Sequence, residues 1–353
     1  MDGVLAGEAY GDDDRSPSLM QSAVYSNKTP KQLKNLCLNV RFFLMIFKSS
    51  TSRRWFMTTA TLVATWPLIS FAAEENLPKK LVIIAGKPSH GPGLHEFNAG
   101  SKLLQKCLAA TPGLEVSVHP NGWVSDESVL ETADAVVFYA DGGNNHPAIA
   151  EPSKKEAIQK LVNRGGSVMM MHYAVECANK DKDQGVSGDV FREWIGGTYE
   201  TDFSCNPIWD ADYKKYPDHP ICRGMKPFKI QDEWYFSMRF RKDMEGVKSL
   251  LVATPSDETR DGPYVYPKGP YPHIQARKGE EETMMWCVER PDGGRGVGFT
   301  GGHFHKNWAD DNFRKIALNA MLWICKMEVP TNGVQSAVTE ADMQTNLDDK
   351  EKK

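Results

Sequence analysis

The sequence predicts an α/β protein with a flavodoxin-like, doubly wound and mainly parallel sheet, covered by helices on both faces. Short apolar runs without alternation recur along the chain, and such runs are typical of strands that are buried on both faces. The run from Val168 to Met171 is one of them, and it ends at His172. Strand signals and helix signals follow each other through most of the chain, which is the order of elements that builds a parallel sheet.

The individual elements follow from apolar periodicity and from glycine or proline breaks. Ser153 and Glu156 predict a capping box at the start of one helix, and the long Pro/Tyr/Gly loop 261–272 has the length of a lid or binding loop. The other predicted elements are strands at 81–85, 114–118, 135–140, 247–254, 283–288 and 295–300, a helix beginning near Phe97, and a last helix with an apolar stripe from Phe313 to Ile324.

Composition excludes several classes of function. The chain has 353 residues and a formal net charge of -4, so electrostatics gives no reason to expect nucleic acid or an anionic membrane as a partner. Its seven cysteines include no CxxC pair, which excludes a zinc ribbon and argues against a disulfide scaffold. The composition is that of an ordinary globular protein.

The first residues predict an exported protein. Residues 1–44 have no coherent pattern and are predicted to be disordered, or to precede a true start at Met45. Residues 45–73 resemble a twin-arginine signal peptide, with Arg53-Arg54 before a weakly apolar stretch. We therefore expect a periplasmic or otherwise exported protein. The short apolar stretch, interrupted by proline, argues against a stable membrane span.

The mature chain is expected to form one domain over residues 74–328, followed by a polar and flexible C-terminal tail at 329–353. No internal repeat is visible in it. A homo-oligomer is an open alternative to a monomer, because nothing in the sequence distinguishes them.

Polar side chains stand where several predicted strands end, at the sheet edge where open α/β proteins bind ligands. We predict catalytic roles for His172, Asp232, Glu233 and His303. Asp232 and Glu233 are neighbours on one strand, so only one of them is expected to reach the site. Imidazoles and a carboxylate suit general acid–base chemistry near neutral pH, and a purely structural role is the remaining interpretation.

A divalent metal is the candidate cofactor. His303 and His305 are two residues apart at a predicted strand end, so both would point to one face if the strand continued, and we predict them as metal ligands.

Substrate contacts are predicted for residues in loops at the same sheet edge and for aromatic side chains suited to a sugar ring. The competing interpretations are turn chemistry for the asparagines and core packing for the tryptophans. The predicted substrate-binding residues are His90, Asn145, His146, Tyr173 and Trp308.

Five segments in order resemble the ThuA-like (trehalose utilisation) family over roughly residues 80 to 326. The resemblance implies a fold like that of class I glutamine amidotransferases and a link to sugar catabolism. Those amidotransferases carry a nucleophilic cysteine on the turn where this chain has His172, and Cys177 lies beyond that turn. The segments are GGSVMMMHYAVE, FREWIGGTYE, DHPICRGMKPFKIQDEWYF, MMWCVERPDGGRGVGFTGGHFHKNW and FRKIALNAMLWICK.

We therefore expect an exported protein that binds and transforms a small carbohydrate or an oxidised sugar derivative. Isomerase and hydrolase are the reaction classes considered, by His/carboxylate acid–base chemistry with or without a metal. A non-catalytic carbohydrate-binding or assembly module is the main alternative. A thiol hydrolase using Cys177 is disfavoured, because that residue lies outside the sharp turn.

Overall fold

The computed structural model describes residues 77–178 and 186–350. Within them the predicted α/β architecture is confirmed, with a seven-stranded sheet at its centre. The strands are β1 (Lys79–Ala85), β2 (Leu114–His119), β3 (Ala135–Tyr139), β4 (Ser167–Met171), β5 (Gly197–Thr198), β6 (Ile208–Tyr213), β7 (Phe228–Glu233), β8 (Arg239–Phe240), β9 (Val247–Ala253), β10 (Glu282–Glu289) and β11 (Arg295–Phe299).

Helices of very different length surround this sheet. Among the described residues they are α1 (Phe97–Leu108), α2 (Ser128–Thr132), α3 (Pro152–Asn163), α4 (Val186–Ile195), α5 (Asp257–Asp261), α6 (Pro272–Gln275), α7 (Asp311–Ile324) and α8 (Glu340–Met343). No helix in these described ranges is both long enough and apolar enough to cross a membrane.

The strand order of the main sheet is β2-β1-β3-β4-β11-β10-β9. Strands β2, β1, β3, β4 and β11 run parallel to one another, and β10 is antiparallel to both β11 and β9. Met171 at the end of β4 is in register with Tyr139 of β3 and Phe299 of β11. The loops that follow these three strands therefore leave the sheet side by side.

Both faces of the sheet are covered, as the non-alternating strand sequences predicted. In β4, Met169 and Met171 belong to one core, whereas Val168 and Met170 belong to the other. Helices α1 and α7 contribute to the first core, and α2, α3 and α4 contribute to the second. Strand β4 is therefore packed on both faces, and His172 follows its carboxyl end.

A small antiparallel pair, β6 and β7, packs beside the first core. Alternate residues of β6 are buried, so Trp209, Ala211 and Tyr213 join that core and the residues between them face outward. Strand β7 ends with two buried carboxylates, Asp232 and Glu233. The pairing thus delivers acidic side chains to the interior.

Two local predictions differ from the structure, and the first is the cap of helix α3. Helix α3 begins at Pro152, and its N-cap residue Glu151 makes no side-chain capping hydrogen bond, so the capping box predicted for Ser153 and Glu156 is wrong. Proline at the first helical position needs no hydrogen-bond partner, which lets it begin the helix.

The polar C-terminal segment packs against the domain instead of remaining free. The Lys350 ammonium donates hydrogen bonds to the carbonyls of Leu94 and His95 and lies 3.3 Å from the Glu96 carboxylate. The backbone N–H of Asp348 donates to the same carboxylate. These contacts hold the segment over the loop that precedes α1.

Close packing at Gly296 generates a prediction for stability. A Cβ atom at this position would lie 2.3 Å from the Trp194 carbonyl oxygen and 2.6 Å from the Ile195 Cα. Because these are backbone atoms, the Gly296→Ala variant must shift β11 or the end of α4, and we expect a loss of roughly 1–3 kcal/mol in the free energy of unfolding.

Denaturant unfolding followed by circular dichroism measures this loss. Gly91→Ala is the matched control, because a Cβ at Gly91 meets no atom within 4 Å. Equal unfolding midpoints for the two variants would contradict the packing argument.

Candidate active site

Three histidines and one carboxylate converge beyond the carboxyl ends of the central strands. His172 follows β4, His303 follows β11, His95 precedes α1 and Glu233 ends β7. All four side chains are buried, and each offers one ligand atom that lies within 4.8 Å of the other three. We call these four residues the His/Glu cluster.

The contacts inside the His/Glu cluster are short. His95 Nε2 lies 3.0 Å from His172 Nε2 and 3.0 Å from His303 Nδ1. The Glu233 Oε2 atom lies 2.9 Å from His303 Nδ1 and 3.5 Å from His172 Nε2. The Tyr235 hydroxyl is 3.4 Å from His172 Nε2 and borders the cluster.

The outer nitrogens of two imidazoles have fixed acceptors. His172 Nδ1 lies 3.0 Å from the Thr300 carbonyl oxygen, and His95 Nδ1 lies 3.1 Å from Asp141 Oδ1. These acceptors favour a proton on Nδ1 of each ring, so each Nε2 turns an acceptor lone pair toward the other. Two such lone pairs at 3.0 Å require a proton or a cation between them.

Burial and the neighbouring charges shift the pKa values of the cluster in different directions. Burial, followed by the His172 imidazole, lowers the pKa of His95 well below its usual value. Burial acts in the same direction on His172, but the hydrogen bond and charge of Glu233 outweigh it and raise that pKa. Burial alone would raise the pKa of Glu233, yet hydrogen bonds to His172 and His303 lower it to about 2.

Two cluster histidines have an uncommon backbone conformation. The φ angles of His95 and His172 are 46° and 54°, in the left-handed region that residues with a Cβ seldom adopt. Such conformations cost energy and persist where the surrounding contacts determine them. At His172 this turn ends β4 abruptly and directs the imidazole into the cluster.

The Asp232 carboxylate stabilises the backbone around the His/Glu cluster. Its carboxylate accepts hydrogen bonds from the backbone N–H groups of Gly302, His303 and Glu233 and from the Asn307 side chain. Of the two neighbouring carboxylates, Glu233 joins the histidines and Asp232 holds their backbone. The catalytic role predicted for Asp232 remains a prediction.

The predicted convergence of distant strand ends is present: the rings of His172 and His303 have centroids 5.3 Å apart. His90 and Tyr173 also lie beside the cluster, with ring centroids 3.6 Å and 6.1 Å from that of His95. Asn145 lines a separate crevice that also includes Asp141.

Three predicted site residues lie apart from these contacts. The strand that was expected to continue to His305 ends at Phe299, and His305 Nε2 instead lies 3.1 Å from the Met343 carbonyl oxygen. Trp308 is fully buried and donates to the Tyr139 hydroxyl. His146 is fully buried, not at the rim, and its Nδ1 accepts a hydrogen bond from the Ala148 N–H.

His95 is the main member of the site that the sequence did not predict. In the sequence, His95 has the position of a residue at the start of a helix. Its place in the cluster depends on a left-handed turn and on a contact with Asp141, which is 46 residues away. Asp141 and His90 form a second group with His95, also within 4.8 Å. The signal available in the sequence was the histidine and glycine content of loop 86–95.

The structure places no cysteine in the cluster among the residues it describes. Cys177 is buried, and its thiol lies 3.4 Å from the Tyr199 carbonyl oxygen. The left-handed residue that ends the central strand is His172. This arrangement supports acid–base or metal chemistry over a thiol nucleophile.

The burial of His146 predicts a pH effect on stability. Burial lowers its pKa to about 3, so below about pH 6.5 the unfolded chain binds a proton that the folded chain does not. The free energy of unfolding should therefore decrease as the pH is lowered. This group alone should account for a loss of roughly 2 kcal/mol at pH 5.

The His146→Asn variant keeps an acceptor for the Ala148 N–H and does not titrate, so its unfolding free energy should fall less between pH 7 and pH 5. Denaturant unfolding of both proteins at the two pH values measures the difference. The other histidines contribute equally in both proteins, and the cost of the smaller side chain is the same at both pH values. Both contributions therefore cancel in the comparison. Identical pH dependence in the two proteins would rule out this contribution.

Comparison with known proteins identifies the family. The model of the ThuA family, described as trehalose utilisation, matches residues 82–324. A search of curated proteins finds no match. Similar solved structures include ThuA-like proteins of Bacteroides uniformis (14% identity, TM-score 0.48, 70% of this chain and 92% of that chain) and Parabacteroides merdae (16% identity, TM-score 0.49, 75% of this chain and 99% of that chain). The family match covers most of the chain, which therefore belongs to the ThuA (trehalose utilisation) family.

Proposed function

We propose that this protein binds and transforms a carbohydrate or an oxidised sugar derivative at the His/Glu cluster, with the help of a divalent metal ion. The observation that carries the proposal is the convergence of four buried ligand atoms from His95, His172, Glu233 and His303. The family name supports sugar as the substrate class.

The donor set and its spacing fit a divalent transition metal. Three imidazole nitrogens and one carboxylate oxygen are the ligands that Zn²⁺ and related ions accept. Donor atoms that share one divalent ion at roughly 2.0–2.2 Å would lie roughly 3.0–3.5 Å apart. The nitrogen–nitrogen contacts of His95 are 3.0 Å, and the His303–Glu233 contact is 2.9 Å.

The surroundings of the cluster also fit a metal site. The Thr300 carbonyl and the Asp141 carboxylate accept hydrogen bonds from the outer nitrogens of His172 and His95, and contacts of this kind orient imidazoles toward a metal ion. Asp232 fixes the backbone of both Glu233 and His303. Each ligand is thereby oriented by a neighbour before any ion arrives.

A bound divalent ion would polarise a carbonyl or hydroxyl oxygen of the substrate. The chain itself supplies the groups around that oxygen. His90 is exposed beside the buried cluster, and the half-buried Tyr173, a hydroxyl donor, also has its ring close to that of His95. Burial raises the pKa of Tyr173, so its phenol stays protonated and can donate a hydrogen bond. These two side chains are suited to orient a sugar hydroxyl at the cluster.

Export remains part of the proposal. It rests on the twin-arginine pattern in residues 45–73, which lie outside the residues that the structure describes.

Metal binding is the direct test of the proposed site. Chelator-treated protein should bind Zn²⁺ or Mn²⁺ in isothermal titration calorimetry with a stoichiometry near one. Glu233→Gln and His172→Ala should each weaken binding by roughly 100-fold or more, because each removes a ligand atom.

His119→Ala is the matched control, because His119 lies on strand β2 and outside the cluster. Equal metal affinity for wild type and both cluster variants would refute the metal site. If the protein binds metal but NMR detects no conversion of any sugar or oxidised sugar, the result would instead favour a binding module.

Asp141→Asn tests the orienting contact separately. The variant keeps the side-chain volume but replaces the carboxylate that receives the His95 Nδ1 proton, so we expect metal affinity to fall about 10–100-fold. The thermal unfolding midpoint of the metal-free protein serves as the control and should change little, since Asp141 is half-buried. An unchanged metal affinity would show that His95 needs no carboxylate to orient it.

A further inference from the structure

The two oxygens of the Glu233 carboxylate have different partners. Oε2 faces the imidazoles of the His/Glu cluster, 2.9 Å from His303 Nδ1 and 3.5 Å from His172 Nε2. Oε1 instead accepts a hydrogen bond of 3.0 Å from the side-chain amide of Asn206. This hydrogen bond holds the carboxylate in one orientation, in which one oxygen is directed into the cluster and the other is directed away from it.

The backbone around Asn206 is fixed on both sides by the small antiparallel pair. Cys205 exchanges two backbone hydrogen bonds with Phe236, and Ile208, the first residue of β6, pairs with Glu233 of β7. Asn206 lies between these two pairings, opposite the end of β7. Its amide therefore reaches the Glu233 carboxylate from a position that the strand pairing determines.

Asn206 also binds the loop that connects α5 to α6. Its side-chain carbonyl accepts a hydrogen bond of 3.0 Å from the Tyr266 N–H, and its backbone carbonyl accepts one of 3.4 Å from the Val265 N–H. We call residues 262–271 the Tyr266 loop. Because a carboxylate accepts and a backbone N–H donates, these partners allow one orientation of the amide. One amide group thus contacts the cluster with its nitrogen and the loop with its oxygen.

The segment of the Tyr266 loop that Asn206 binds is exposed. The exposed fraction is 74% for Tyr266 and 40% for Val265. The Tyr199 hydroxyl lies 3.5 Å from the Tyr266 carbonyl oxygen, which is a long hydrogen bond. Exposed side chains contribute little packing energy, so the hydrogen bonds to Asn206 account for more of the free energy that keeps this segment docked.

We propose that Asn206 is a positioning residue that couples the Tyr266 loop to the metal site. The inference rests on the proposed metal binding at the His/Glu cluster. While the loop is docked, the Tyr266 N–H fixes the Asn206 amide, and the amide directs Glu233 toward the ion. When the loop leaves, the amide and the carboxylate are free to turn. A bound ion that holds Glu233 therefore stabilises the docked loop by the same free energy that the loop adds to metal binding.

Zn²⁺ titration of the chelator-treated protein by calorimetry measures the first half of the coupling. Asn206→Ala and Asn206→Leu should each lower Zn²⁺ affinity about 10-fold, since both remove the group that orients a ligand carboxylate. The leucine variant keeps most of the side-chain volume. Asn312→Ala is the matched control, because Asn312 is also half-buried and binds a backbone N–H, that of Lys226, but lies outside the cluster. Its Zn²⁺ affinity should stay within about 2-fold of wild type.

Hydrogen exchange of the Val265 and Tyr266 amides, followed by NMR, measures the second half. In the wild type, saturating Zn²⁺ should slow exchange at both amides by about the factor by which the Asn206 variants lose affinity. In the Asn206 variants, exchange should be faster and should not respond to Zn²⁺. Tyr266→Ala keeps the backbone N–H that Asn206 accepts, so it should retain wild-type Zn²⁺ affinity. A purely structural role for Asn206 would speed exchange without making it depend on the metal.

The outcomes separate this inference from the metal site itself. Equal Zn²⁺ affinity in the wild type and both Asn206 variants would overturn the coupling and leave the metal site standing. Loop exchange in the wild type that does not respond to saturating Zn²⁺ would overturn it as well, and this measurement needs no variant to fold. Failure of the wild-type protein to bind Zn²⁺ would overturn both the metal site and the coupling.

Discussion

The Asp232 carboxylate is the interaction on which the rest of the site depends. Asp232 is the residue before the end of β7 in the small β6–β7 pair, yet its carboxylate accepts hydrogen bonds from Gly302 and His303, which follow β11 of the main sheet. A buried carboxylate is costly unless such donors satisfy it, so its four hydrogen bonds and its burial require each other. The result fixes Glu233, the next residue, against the loop that carries His303. Two separate sheets are thereby held in one arrangement at the point where the side chains of the His/Glu cluster meet.

The same arrangement brings together three imidazoles that are costly to bury side by side. His95, His172 and His303 lie with ring centroids about 5 Å apart, buried and with nitrogens facing inward. Burial disfavours charge on His95 and His172, and the Glu233 carboxylate favours charge on His172. Lys350 binds the His95 carbonyl from outside, so even the C-terminal segment contributes to holding this backbone. A site of this kind is stable when a cation shares its interior, which is the physical reason for proposing a metal there.

The part of the site that the sequence predicted depends on regular structure. The apolar run of β4 identified the strand that ends at His172, and alternation along β7 indicated that Asp232 and Glu233 could not both reach the site. The site residues that the sequence predicted wrongly or did not predict lie in irregular backbone. His305 was predicted beside His303 on the assumption that β11 continues, but β11 ends at Phe299 and residues His305–Ala309 form a 3₁₀ turn. His95 enters the cluster through a left-handed turn and a distant carboxylate, and neither leaves a periodic signal in the sequence.

The turn at His172 places an imidazole where the glutamine amidotransferases, whose fold this one resembles, carry a thiol. In those enzymes a sharp turn after a central strand exposes a cysteine nucleophile, and here the corresponding turn has a φ angle of 54° at a histidine. A thiol offers one reactive atom, whereas an imidazole offers two nitrogens on opposite sides of a rigid ring. At His172 one nitrogen is anchored by the Thr300 carbonyl and the other meets His95. A sharp turn after the central strand therefore serves, with this side chain, to direct one ring nitrogen into the His/Glu cluster while the other is anchored to the backbone.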